Sequence, residues 1–305
     1  MARARRFAPA VISALALGGV AWWFSNQDMP SLPSLSDSAG ALCGALALYL
    51  LATLLRGERW FRLVGRGTRL DAYALTVVGY MGNNALPARA GDILKAVLTS
   101  RRTGIAKRDS FGDLVAERAL DAFALVAIFV VVVLAGNLPL GLSPLTIGII
   151  AAVLAVIGIG AYIAAPRVRG LVAALLAPTR ALLSARGAAL FALSIVLWLV
   201  EGSVYAILGR VAGIHLSLSD GLYVMALANV AAMIPAAPGY VGTFDAAVLL
   251  GVRLAGAGHA SVALPYVVLV RFVLFVPITL VGLALLIARY GGLRTLRAER
   301  SGAAA

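Results

Sequence analysis

Residues 79–100 read GYMGNNALPARAGDILKAVLTS. An apolar helical run that begins at Asp71 stops at Asn83-Asn84 and Pro87, turns through Arg89-Ala90-Gly91-Asp92, and resumes as a shorter apolar run ending at Arg101-Arg102. Proline has no N–H to give a helix and pushes the residue before it out of the helical region. Hydrocarbon offers no water to the backbone groups freed in this way, so a helix broken at membrane depth persists only where protein or a wet cavity satisfies them. The interruption is therefore the first candidate site.

That the stretch lies at membrane depth follows from the chain around it. Of 305 residues, 62% are apolar and 13% charged, and the mean hydropathy is +0.97. Such a chain cannot give a soluble globule a polar surface. It reads as an all-α polytopic membrane protein with full spans at 7–24, 39–55, 113–135, 145–165, 188–209 and 262–288, each near the roughly 20 residues a crossing needs. The first span follows MARARR and reads as an uncleaved anchor helix within 1–24. The loop 56–70, RGERWFRLVGRGTRL, reads either as a short helix lying on anionic headgroups or as a solvated basic loop. Two segments, 71–100 and 220–254, are interrupted by Pro and Gly.

The net charge of +13 suggests nucleic acid at first sight, but 22 of the 26 basic residues fall in five clusters flanking the spans. Basic loops of this kind follow the positive-inside rule, and no nucleic-acid partner is expected. If 71–86 crossed the membrane completely, the basic stretch 87–112 would lie outside and every later loop would invert. If 71–100 enters and returns, all five clusters share the cytoplasmic face. The fold expected is a single membrane domain over 1–305, with about six full transmembrane helices and two oppositely oriented re-entrant helical hairpins, 71–100 and 220–254. A basic tail, 289–305, and both termini would be cytoplasmic. Asn83-Asn84, Pro87, Gly91 and Asp92 are faintly echoed by Asn229, Pro235, Gly239 and Asp245, as in an inverted repeat. Opposed hairpins of this type hold substrate where their half-helix ends meet.

Ionisable side chains inside spans are costly and need a partner or a cavity. Glu117, Arg118 and Asp121 stand three and four residues apart on one helix, Glu201 lies within the fifth span, and Arg271 sits in the last with no acid nearby. Arg271 should reach Glu201, Asp245 or a substrate anion, whereas the triplet is either a self-neutralising interfacial patch or the wall of a cavity that Arg118 enters. In the hairpins, Asp92 suits the N-cap of the returning half-helix. Arg89 beside the same terminus would make an anion pocket. Lys95, Asn83, Asn84 and Asn229 complete the polar groups near the breaks. Pro235, Pro238, Gly239 and Gly242 form a close-packed bend, and with Pro87 and Gly91 they would supply the backbone of the hairpin tips. Cys43 is the only cysteine, and His215 and His259 stand apart, so no metal site and no cofactor are expected. No nucleophile, base and orienter set is visible, which favours a transporter over an enzyme.

Three stretches together resemble the lysylphosphatidylglycerol synthase membrane-region, or flippase-like, family, which includes the membrane half of the multiple peptide resistance factor proteins. They are NNALPARAGDILKAVLTSRRTG at 83–104, LVAERALDAFAL at 114–125 and IPAAPGYVGTFDAAVLLG at 234–251. The first fits the family's pattern of Asn, Leu-Pro, a basic residue, Gly and an acid, with Ala90, Asp92 and Lys95 as variants. The second fits its ER-x-x-D at Glu117, Arg118 and Asp121, and the third its P-x-x-P-G-x-x-G. The resemblance implies a lipid-translocating domain with re-entrant helices. With the chain ending in a basic tail, no soluble aminoacyl-transferase domain is expected here.

The function expected is therefore a flippase-like transporter in a bacterial inner membrane. Its substrate would be an anionic or aminoacylated phospholipid or a polyprenyl-phosphate-linked lipid. The rival reading is a lipid-binding scaffold subunit for a separate glycosyltransferase or lipid synthase. Small-xxx-small patterns such as Gly256 to Ala260 leave a homo-oligomer open.

Overall fold

The computed structural model describes residues 35–86, 89–136, 184–233, 238–256 and 260–291. The spans expected at 7–24 and 145–165, Pro87, Pro235 and most of the basic tail lie outside the described residues.

Among the described residues the regular structure is entirely helical. Four helices are long: α1 (Leu35–Val64), α4 (Lys107–Gly136), α5 (Ala185–Val211) and α8 (Ala260–Tyr290). Within them Ser38–Val64, Ala185–Val211 and Ala263–Tyr290 are long and apolar enough to cross a membrane. Their outer faces present Leu50, Val196, Phe272, Leu280 and Ile287 to the surroundings, and α4 adds Phe123, Val131 and Leu134. An apolar exterior of this kind suits lipid and not water.

Four shorter helices form two helix–break–helix units. The first is α2 (Arg69–Ala85) with α3 (Ala90–Thr103), and the second is α6 (Leu218–Met233) with α7 (Thr243–Leu254). Both breaks fall where Pro, Gly and Asn interrupt the apolar pattern. Within each unit the two helices pack on each other, and α2 also packs on α8 and α1. Close approach of α2 and α3 requires glycine. A Cβ on Gly91 would overlap the carbonyl of Gly79 and the backbone of Gly82 and Asn83.

The segment 56–70 departs from expectation. It is neither a loop nor a separate interfacial helix, because α1 continues through it to Val64 and turns only at Gly65 and Gly67, both at positive φ. The continuation carries Arg56 and Arg59 into the interior, where they are 3% and 0% exposed. Acids on α4 and α5 meet them there. These two arginines, and Lys95 at 2% exposure, belong to the core and not to a cytoplasmic loop charge.

Behind the units lies a core that includes Leu125, Leu197, Leu208, Tyr223, Val248 and Val270, drawn from α4, α5, α6, α7 and α8. Caps fix two of the entering ends. The Thr68 hydroxyl accepts the Asp71 N–H at 3.1 Å and the Ser184 hydroxyl accepts the Gly187 N–H at 3.3 Å.

Candidate substrate cavity between two broken helices

The first break is built by short-range bonds. The Leu86 N–H closes α2 on the Gly82 carbonyl at 2.8 Å, and Arg89 enters α3 in the left-handed region at φ 56°. A side chain there is strained by about 1–3 kcal/mol and needs the surroundings to hold it. Asp92 is not the N-cap that its position suggested. It is the third residue of α3, and Asn83 covers that end from α2. The Asp92 N–H donates to Asn83 Oδ1 at 3.1 Å, while Asn83 Nδ2 donates to Asp92 Oδ1 at 3.0 Å.

The second break ends in a turn at Pro238–Tyr240, with Gly239 at φ 63° and Tyr240 at φ 54°. Asp245 accepts the Gly242 N–H at 2.9 Å and so starts α7. Arg271 of α8 supports this tip, donating from Nη1 to the Gly239 carbonyl at 3.0 Å and from Nη2 to Asp245 at 2.8 Å. Of the two acids foreseen as its partner, Asp245 is the one it meets.

The two tips touch. Arg89 Nη1 donates to the Ala232 carbonyl at 3.0 Å, and its guanidinium stands 5.8 Å from the Tyr240 ring centre. A Cβ on Gly239 would lie 3.4 Å from the Asn84 carbonyl oxygen.

Beneath this junction is a cavity of about 80 Å³. That is room for several waters or a small polar headgroup. Arg56, Arg89, Arg118, Asp121 and Glu201 bring charge to its wall, and Asn84 and Asn229 bring amides. Tyr49, Tyr80, Trp198, Tyr205, Tyr240, Phe244 and Phe275 add aromatic side chains, and Leu125, Ala232 and Leu274 complete the lining.

Both acids on the wall are already engaged. Glu201 pairs with Arg56 and receives Asn229 Nδ2 at 3.4 Å. Asp121 takes Arg59 at 2.7 Å, Arg118 at 3.1 Å and Trp198 Nε1 at 3.2 Å. The Arg56 guanidinium also lies 4.8 Å from the Trp198 ring centre and 5.4 Å from that of Tyr80. Behind the wall, Lys95 Nζ donates to both Glu117 oxygens at 2.8 and 2.9 Å and sits 3.8 Å from the Trp60 ring centre.

Six of the polar residues singled out in the sequence, Asn84, Arg89, Arg118, Asp121, Glu201 and Asn229, thus line one cavity. Asn83, Asp92, Lys95, Glu117, Asp245 and Arg271 stand behind it and hold the tips or the wall. Arg56 and the aromatic residues were missed. The signal was present: Trp198, Glu201 and Tyr205 are three and four residues apart on α5, and Tyr49 and Arg56 are seven apart on α1. Among the described residues no cluster of His, Cys, Asp or Glu is placed to hold a metal.

The family model for the lysylphosphatidylglycerol synthase TM region matches residues 8–282. The chain belongs to that family. No curated protein and no solved structure matches it. As a member of the lysylphosphatidylglycerol synthase TM-region family, the chain is a membrane protein with a lipid-related role. Its three family-like stretches contribute Asn84 and Arg89, Arg118 and Asp121, and Tyr240 and Phe244 to the same cavity wall.

Proposed function

We propose that this protein moves an amphipathic lipid between the leaflets of a bacterial inner membrane. Two broken helices enter from opposite faces as re-entrant hairpins, the lipid headgroup passes between their tips into the cavity, and the acyl or prenyl tail stays in the bilayer. The observation that carries this reading is the meeting of the two breaks over a charged, aromatic-lined cavity inside an otherwise apolar helical body. A headgroup phosphate would meet Arg56, Arg89 and Arg118 in a low-dielectric setting, where charge-assisted bonds are strong. The engaged acids, Asp121 and Glu201, hold those guanidiniums in place. Gly91 at the first tip and Gly239 and Gly242 at the second keep the backbone narrow where the headgroup enters.

The test is a leaflet-exchange assay. The purified chain is placed in vesicles carrying a fluorescent phosphatidylglycerol, and an impermeant quencher reads the outer leaflet. Exchange above protein-free vesicles, lost in Arg118→Gln, is the expected result. Exchange equal to protein-free vesicles overturns transport and favours a subunit that holds lipid for a separate lipid-modifying enzyme.

A further inference from the structure

Resting on the lipid-handling reading above, we infer that the cavity selects a lipid carrying one net negative charge, a phosphodiester with an uncharged headgroup, and discriminates against an aminoacylated one. The charge on the wall is the first ground. Three guanidiniums, Arg56, Arg89 and Arg118, face two carboxylates, Asp121 and Glu201, an excess of one positive charge. The layer behind leaves the excess at one: Arg59 and Lys95 add two positive charges, while Asp92, paired with Arg89 and Arg118, and Glu117, paired with Lys95 and Arg59, add two negative ones. A single uncompensated charge in a low-dielectric interior is unfavourable until a counter-charge arrives. A phosphodiester supplies one, whereas a phosphomonoester or diphosphate supplies more than the wall can match.

The bonding of the acids is the second ground. An ammonium on an aminoacyl headgroup needs a carboxylate or an aromatic face that is free to receive it. Glu201 is already held by Arg56 and Asn229, and Asp121 by Arg59, Arg118 and Trp198. The Arg56 guanidinium covers the rings of Trp198 and Tyr80. Donors, in contrast, are in surplus. Among the described residues of the wall, Arg56 Nε, Arg118 Nε and Tyr205 Oη are buried without a hydrogen-bond partner, and Tyr205 is 0% exposed; the one wall acceptor in that state, Asp121 Oδ2, is held by its ion pair with Arg118 at 3.1 Å. Buried donors left unmatched favour a ligand rich in acceptor oxygens.

The experiment is a competition in nanodiscs with equal amounts of phosphatidylglycerol, lysylphosphatidylglycerol and phosphatidic acid in a zwitterionic background, read by native mass spectrometry of the lipid retained. Wild type should retain phosphatidylglycerol over lysylphosphatidylglycerol by about tenfold, the ratio that 1.4 kcal/mol sets. Glu201→Gln, which raises the excess to two, should shift retention toward phosphatidic acid. Equal or preferred retention of lysylphosphatidylglycerol by wild type overturns the inference and leaves lipid handling standing. Retention of none of the three above the background lipid overturns both.

Discussion

Arg56 and Glu201, 145 positions apart in the chain, meet as an ion pair in the cavity wall with only 3% and 4% of their side chains exposed. Taking one partner away leaves a buried charge with nothing to match it, at a cost of about 3–5 kcal/mol. Arg56→Met and Glu201→Leu should each lower the Tm in detergent markedly. The double variant should recover most of the loss, because well-packed apolar groups often replace a buried pair at little or no net cost. If the double variant is as unstable as the sum of the two singles, the residues do not act as a pair.

Gly91 is the contact point of α2 and α3. A methyl group there would overlap the Gly79 carbonyl, so Gly91→Ala must part the two helices. Overpacking of this kind costs about 1–3 kcal/mol, and it would also displace Asp92 from Asn83. Gly44→Ala on α1, where a Cβ meets nothing within 4 Å, is the control. Thermal unfolding should separate the two variants, with Gly44→Ala unchanged or slightly stabilised by its gain in helix propensity. Equal Tm values would mean that α2 and α3 are not packed through Gly91.

The two breaks were legible because their causes are local. Asn83-Asn84 with Pro87, and Pro238 with Gly239 and Gly242, interrupt helices by their own backbone chemistry, whatever surrounds them. The cluster Arg56, Arg59, Arg62, Arg66 and Arg69 was not legible, because a run of arginines reads as a solvated loop until the partners are known. Glu117, Asp121 and Glu201, which turn the first two inward, lie 58 or more positions away. Tertiary pairing of that range leaves no periodic trace. Asp92 was misassigned for a related reason. It has the side chain of an N-cap, but Asn83 on the facing helix takes over the end of α3, and Asp92 becomes the group that Asn83 holds.

Arg271 binds the second tip through two different acceptors, the Gly239 carbonyl and the Asp245 carboxylate. A planar guanidinium spans both, whereas an ammonium on a flexible stem reaches one at a time. Arg271→Lys should therefore keep the charge but loosen the tip. It lies outside the cavity lining, so its effect should be on the rate of leaflet exchange more than on which lipid is retained. A changed lipid preference with unchanged exchange would place Arg271 in contact with the headgroup instead.

Tyr205 and Tyr266 separate stability from ligand binding. The Tyr266 hydroxyl donates to the Tyr205 carbonyl at 3.0 Å, deep between α5 and α8 and away from the cavity wall. Tyr205 lines the cavity, and among the described residues its buried hydroxyl has no hydrogen-bond partner. Removing a hydroxyl that makes a bond costs about 0.5–1.5 kcal/mol, while removing one that makes none is nearly neutral or slightly stabilising. Tyr266→Phe should accordingly lower the Tm and leave the affinity for phosphatidylglycerol unchanged. Tyr205→Phe should keep the Tm and weaken that affinity by a few-fold, the size expected for one hydrogen bond. Melting curves and lipid titrations on the two variants are read together. If Tyr205→Phe loses stability and keeps its affinity, its hydroxyl belongs to the core and not to the bound headgroup.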